Sequence, residues 1–185
     1  MSSEAAVVNE SLHPATVTVR TTLAGREVNV LASSKETKVT VAAGSRQSVT
    51  QNILLKNPRL WSLDDPYLYK VITEVENNGK VIDRVVTRHG IRSIQMNAEK
   101  GLLLNGKQVK LKGLNNHQDH AGVGTALPDF LQYYRIHRMK DLGANAYRCS
   151  HNAPTPELLQ ACDSLGLLVM DENRLLNSSE EYIQQ

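Results

Sequence analysis

Side chains able to bind a polar ligand or move a proton gather at three places in the second half of the chain: Asn115-Asn116-His117-Gln118-Asp119-His120, then Arg148-Cys149-Ser150-His151-Asn152, then Asp171-Glu172. Histidine changes its charge near neutral pH, and an arginine fork holds an anion in one plane. Brought together, His117, Asp119, Arg148, His151, Asn152 and Glu172 would surround a polyhydroxylated ligand such as a sugar with donors and acceptors. His117 and His120 with Asp119 between them also have the outline of a metal site. They lack a helical scaffold and a third ligand at a fixed offset, so hydrogen bonding to a polar ligand is the expectation. For each histidine alone the plain alternative is a satisfied structural side chain, and an arginine beside a carboxylate in a sheet is as often a structural ion pair. Asp171 and Glu172 are strand neighbours and point to opposite faces, which poorly matches two carboxylates facing one bond. No nucleophile elbow, phosphate-binding glycine loop or Ser-His-Asp arrangement can be read.

The elements that must position these groups are clearest over residues 143–172. Ala144 to Cys149 reads as a short strand and Ser150 to Ala153 as a loop. Thr155, Pro156 and Glu157 then supply a cap, a proline for the first helical position and an acid for the first turn. Leu158, Ala161, Cys162 and Leu165 recur at helical spacing, and Gly166 sits where a left-handed residue would end the helix. Leu167 to Met170 is an apolar run of strand length, as in a parallel sheet covered on both faces. Upstream, a strand over Val109 to Leu114 and a helix from about Pro128 to Leu142, with Leu131, Ile136, Met139 and Leu142 on its apolar face, extend the alternation. Ligands bind at the carboxyl ends of parallel strands, so the polar groups would share one rim.

Residues 1–97 read as all-β. Ala15 to Leu23, Val28 to Ala32, Lys38 to Val41, Ser48 to Leu55, Pro66 to Val75 and Lys80 to Thr87 are short alternating runs, and Asn78-Gly79 is a strong hairpin turn. This pattern predicts an antiparallel, immunoglobulin-like β-sandwich over 1–97. Residues 98–185, after a polar link over Met96 to Lys100 and a hairpin at Asn105-Gly106, would hold the first three β-strands and two helices of a (β/α)8 TIM barrel. Trp61, near Tyr67 and Tyr69, suggests a sugar-stacking platform; the plainer expectation is that it plugs an end of the sandwich.

Composition narrows the classes. The net charge of +2 comes from 21 basic and 19 acidic residues mixed along the chain, so no basic face points to nucleic acid. No apolar run is long enough to cross a membrane, and the start lacks a secretion signal, so the compartment stays unassigned; reduced cysteines suit the cytoplasm, and a periplasmic parent protein is compatible. Cys149 and Cys162 read as buried thiols. Asn9-Glu10-Ser11 and Asn177-Ser178-Ser179 match a glycosylation acceptor pattern by chance.

Leu60-Trp61-Ser62, Pro66-Tyr67-Leu68-Tyr69, Gly90-Ile91-Arg92, Leu103-Leu104-Asn105-Gly106-Lys107, Gly113-Leu114-Asn115-Asn116-His117 and Asn145-Ala146-Tyr147-Arg148-Cys149-Ser150-His151, with Cys162-Asp163 and Asp171-Glu172, resemble family 2 glycoside hydrolases, most closely β-galactosidases. The resemblance implies a sandwich followed by a TIM barrel, a β-galactoside as carbohydrate partner, and a retaining reaction with two glutamates about 5–5.5 Å apart. It also implies a homo-oligomeric parent protein, with β-glucuronidase or β-mannosidase as the other activities of the class. Both catalytic glutamates of the family fall after the third barrel strand, so this chain is expected to be an internal segment without them, inactive alone. By the same likeness His117 and His151 are sugar-contacting histidines, Arg148 stabilises the nucleophile, and Glu172 is a barrel-lining acid. No cofactor is expected: where some members hold magnesium after Asp-Glu, this chain has Leu176 and Ser178. His151 is followed by Asn152-Ala153-Pro154 in place of the family's Tyr-Pro. A reading from another class is a non-catalytic carbohydrate-binding or interaction module built on the sandwich.

Overall fold

The computed structural model describes residues 1–172 and 179–180. Contacts divide the chain into two units: Met1–Arg59 with Leu68–Ile91, and Leu60–Tyr67 with Arg92–Gln185.

The first unit is built of strands: β1 (Ser2–Asn9), β2 (Ala15–Ala24), β3 (Val30–Ser33), β4 (Thr37–Val41), β5 (Ser45–Asn52), β6 (Tyr69–Asn77) and β7 (Lys80–His89). The long strand β2 is central, with β6 along one edge and β4 then β3 along the other, and β7 follows β6. A second, two-stranded antiparallel sheet pairs β1 with β5. Val17 and Val19 from β2, Val41 from β4, Val49 from β5 and Val71 from β6 are buried between these sheets, as alternation requires. One buried polar side chain joins β5 to β2. Gln51 donates to Val19 O at 2.8 Å and accepts from Thr21 Oγ1 at 2.7 Å, so its amide is hydrogen-bonded on both sides. The β6–β7 turn is Asn78-Gly79, both with positive φ, as the sequence predicts. Asn9 is not a glycan acceptor in this fold. It is buried, donating to His13 O and Val41 O and accepting from Ser11 Oγ, as the corner where β1 ends. Asn177 and Ser178 of the second such motif lie outside the described residues.

In the second unit a three-stranded antiparallel sheet, β8 (Ile94–Asn97), β9 (Gly101–Leu104) and β10 (Lys107–Gln108), precedes a parallel one. The parallel sheet has the order β11 (Gly113–Asn116), β12 (Ala146–Cys149), β13 (Leu168–Met170), with α1 (Asp129–Asp141) between the first two strands and α2 (Pro156–Leu165) between the last two. The link expected over Met96 to Lys100 therefore includes the end of a strand, β8, paired with β9. The strand expected over Val109 to Leu114 lies two residues further on at its end and four at its start, because its register is set by β12, Gly113 facing Ala146.

Helix α2 starts and ends as the sequence dictates. Thr155 Oγ1 accepts from Leu158 N, Pro156 takes the first turn, and Gly166 closes the helix in the left-handed region with φ +76°. Leu158, Ala161 and Cys162 pack with Ile136 and Met139 of α1 and with Tyr147 and Cys149 of β12. Gln132, not Leu142, completes the buried face of α1; Leu142 is exposed because the helix has already ended at Asp141.

Trp61, expected to plug an end of the sandwich, groups with the second unit instead. It is fully buried, its Nε1 donating to Asp163 O at 2.7 Å while Arg92 stacks on its ring at 4.5 Å. Lys140 fixes the same strap, donating to Leu63 O at 2.6 Å and Gly166 O at 2.9 Å. Burial lowers the Lys140 pKa, and nearby Asp64 opposes that shift. A side chain at Gly166 would collide with Leu63 O, so glycine serves both the turn and the strap.

Candidate functional site

The rim is made by three parallel strand ends. Asn115 lies opposite Arg148, and Arg148 opposite Met170, so the residues that follow each strand emerge side by side. Gly113 permits the close approach at the base of this arrangement: a Cβ there would stand 2.6 Å from Ala146 O. Asn145 secures the same junction, accepting from Lys112 N at 2.7 Å and donating to Lys110 O at 2.9 Å. Tyr147 and Cys149 enter the helix-side core, so Arg148 between them projects from the opposite face.

There Arg148 meets Glu172. Nη2 donates to Oε1 at 2.9 Å, while Nη1 makes two longer contacts of 3.3 Å to Asn115 Oδ1 and Ser150 Oγ. The second oxygen of Glu172, Oε2, lies 2.9 Å from His151 Nδ1. One carboxylate thus joins β12, the loop after it and the end of β13. Asp171, expected to point away from Glu172, uses its Oδ1 locally to accept from Glu172 N. The Ser150–His151 peptide is cis, and Ser150 N donates to Asn116 O at 3.0 Å.

His117 comes to the same place from β11. Its ring stands edge-on to that of His151, with centroids 5.8 Å apart. An open cleft of about 360 Å³ is lined by His117, Gln118, Asp119 and Thr125 on one side and Ser150, His151 and Asn152 on the other. Four of the six candidates therefore line the cleft, while Glu172 reaches it through His151 and Arg148 through Ser150. His120 turns to Ala121 O instead. Among the described residues no three histidine, cysteine, aspartate or glutamate side chains converge as a metal group would require. Glu172, flanked by a guanidinium, is a poor ligand for magnesium, and Leu176 and Ser178 lie outside the described residues.

Beneath the rim, burial pushes the Cys149 thiol up to about 11, with Asp171 and Glu172 adding to the shift. Cys162 is pushed up to about 12, again by burial first. Both are buried free thiols, protonated at neutral pH and inert, as the sequence leads one to expect. Arg135 of α1 has no signal in the sequence reading. Its guanidinium donates to His117 O at 2.9 Å and Asp119 O at 2.6 Å, and only the fold brings a half-buried helical arginine to a loop 16–18 residues earlier.

Residues 1–92 match the model of glycosyl hydrolases family 2, and residues 94–181 match that of the glycosyl hydrolases family 2 TIM barrel domain. The chain is 41% identical over 169 residues to a β-galactosidase of Bacteroides ovatus, covering 90% of this chain and 19% of the relative. It is 31% identical over 169 residues to a β-glucuronidase of Formosa agariphila, covering 90% and 17%. A solved structure of a glycosyl hydrolase family 2 member from Bacteroides cellulosilyticus superposes with a TM-score of 0.87 at 37% identity, over 93% of this chain and 24% of that one. The chain thus spans less than a quarter of each of these proteins. The two-sheet unit is the immunoglobulin-like sandwich, and the parallel sheet with its helices is the start of the TIM barrel.

Proposed function

The chain belongs to glycosyl hydrolase family 2, and on that premise we propose that it forms the sandwich and first barrel strands of a retaining β-glycosidase acting on terminal β-galactosides. The observation that supports an uncharged sugar is the cleft lining, which includes Asp119 and, among the described residues, no lysine or arginine. A uronate there would meet an acidic residue and no lining lysine or arginine, whereas sugar hydroxyls find both donors and acceptors. The relatives' names divide between β-galactosidase and β-glucuronidase, so the lining is the argument for the first.

In a retaining reaction one carboxyl group protonates the leaving oxygen and a second attacks the anomeric carbon. Glu172 suits neither role, because its oxygens already meet Arg148 and His151. The two reacting carboxylates are assigned to later barrel strands, outside these residues. His117 and His151 hydrogen-bond the sugar, with Asp119 and Asn152 completing the cleft. Arg148 keeps a positive charge beside the attacking carboxylate through its loosely held Nη1 edge.

The test is a panel of aryl β-galactoside, β-glucuronide and β-mannoside, given to the full-length protein and to the 185-residue polypeptide alone. The full-length protein should prefer the galactoside by about ten-fold or more in kcat/KM, since setting a charged group against a like charge costs at least that much, and the polypeptide alone should match the blank. A glucuronide preference would refute the neutral-sugar reading. Hydrolysis by the polypeptide would refute the placement of the carboxylates.

A further inference from the structure

The last sheet bond of β11 is the one in which Asn116 O accepts from Ser150 N. From His117 onward the chain leaves the sheet, and its carbonyls face no neighbouring strand among the described residues. Bonds between His120 and Gly124, and from Val123 N to His120 O, close the loop upon itself without tying it to α1. The carbonyls of His117 and Asp119 instead receive the two nitrogens of Arg135 at 2.9 and 2.6 Å. A planar guanidinium can donate to two carbonyls two residues apart at once, and a lysine ammonium on a flexible stem cannot fix them in one plane.

We propose that Arg135 is a positioning residue for the sugar cleft, a fork from α1 that holds the His117–Asp119 wall so that the His117 imidazole stands edge-on to His151. This rests on the reading of the cleft as the sugar site. Arg135 touches no substrate; it acts through the backbone of His117 and Asp119, both of which line the cleft. Without the fork the wall keeps its internal turn and loses its fixed place on the helix. Substrate binding then carries the cost of ordering it.

The experiment uses the full-length protein with Arg135→Met, Arg135→Lys and the double variant Arg135→Met/His117→Ala, assayed with an aryl β-galactoside. For Arg135→Met, KM should rise about ten-fold with kcat changed less than about three-fold, as loss of binding order predicts. Arg135→Lys should fall between this variant and wild type. In the His117→Ala background the same methionine substitution should add less than it does in the wild type, because the His117 imidazole that the fork positions is gone and only the share carried by Asp119 remains. An unchanged KM, or the full ten-fold rise without His117, would overturn the proposal. Should Arg135→Met fail to fold, Arg135→Lys decides: a raised KM at a wild-type Tm supports the fork, and a wild-type KM overturns it. If the wild-type protein hydrolyses no glycoside, the functional reading fails by itself. Amide hydrogen exchange over residues 118–123 then tests the fork: faster exchange in Arg135→Met upholds it, and equal exchange overturns it.

Discussion

Replacing Glu172 by glutamine removes charge from the rim while keeping its shape. In the native chain the carboxylate faces Arg148 Nη2 and His151 Nδ1, each at 2.9 Å. Hydrogen bonds to an ionised group contribute roughly 1.5–3 kcal/mol against roughly 0.5–1.5 for neutral ones, so each contact loses about 1 kcal/mol. The Glu172 and Arg148 side chains are 17% and 35% exposed, so most of the first loss stands, whereas His151 at 55% is partly screened by solvent. The discounted total is about 1.5 kcal/mol, or about ten-fold in rate. In the full-length protein, kcat/KM for an aryl β-galactoside should fall by that factor. The fall should lie mainly in kcat if Arg148 answers charge that develops in the transition state. Circular dichroism and Tm serve as controls for folding. A kcat/KM within two-fold of wild type at normal Tm would refute the reasoning, leaving a surface ion pair with no part in catalysis.

Trp61→Phe removes the indole donor to Asp163 O and part of the ring under Arg92. Because Trp61 is fully buried, urea denaturation should show a loss of about 2–4 kcal/mol, combining a lost hydrogen bond with a cavity. The thiols give a pH prediction. Cys149 and Cys162 are held protonated by the fold, about 11 and about 12 against the ordinary 9.0, so the unfolded chain ionises first. Their contribution to stability is therefore whole below pH 9, falls as pH rises above it, and levels off beyond the folded values. Iodoacetamide should leave both unlabelled at pH 8 without denaturant, and urea midpoints of wild type should fall more between pH 8 and 10 than those of the double alanine variant.

The parts of this protein legible in its sequence are those whose causes are local. Thr155, Pro156 and Gly166 write both ends of α2, and Asn78-Gly79 and Asn105-Gly106 write their hairpins, because caps and positive-φ turns depend on a few adjacent residues. Strand β1 shows no such mark. Ser3, Ala5 and Val7 form its inner face only through pairing with β5, some 40 residues later. The start of β11 was hidden for the same reason, since Val109 and Leu111 look more strand-like than Gly113-Leu114-Asn115-Asn116, yet the register with β12 selects the latter. At the site, the polar clusters after the strands were readable as a rim. The alternation rule correctly separates Arg148 from Tyr147 and Cys149, but it cannot foresee that Glu172, just past β13, curls back to both Arg148 and His151. The contacts of Arg135 and Trp61 could not be foreseen for one reason: each side chain donates to backbone carbonyls, which leave no residue-type signature at the accepting end.

The most direct test of the central claim is a crystal structure of the full-length protein with bound galactose. The sugar hydroxyls should lie within hydrogen-bonding distance, about 2.6–3.2 Å, of His117 and His151, with the Arg148–Glu172 pair intact beside them. A sugar seated elsewhere, with this cleft free of ligand, would contradict the account.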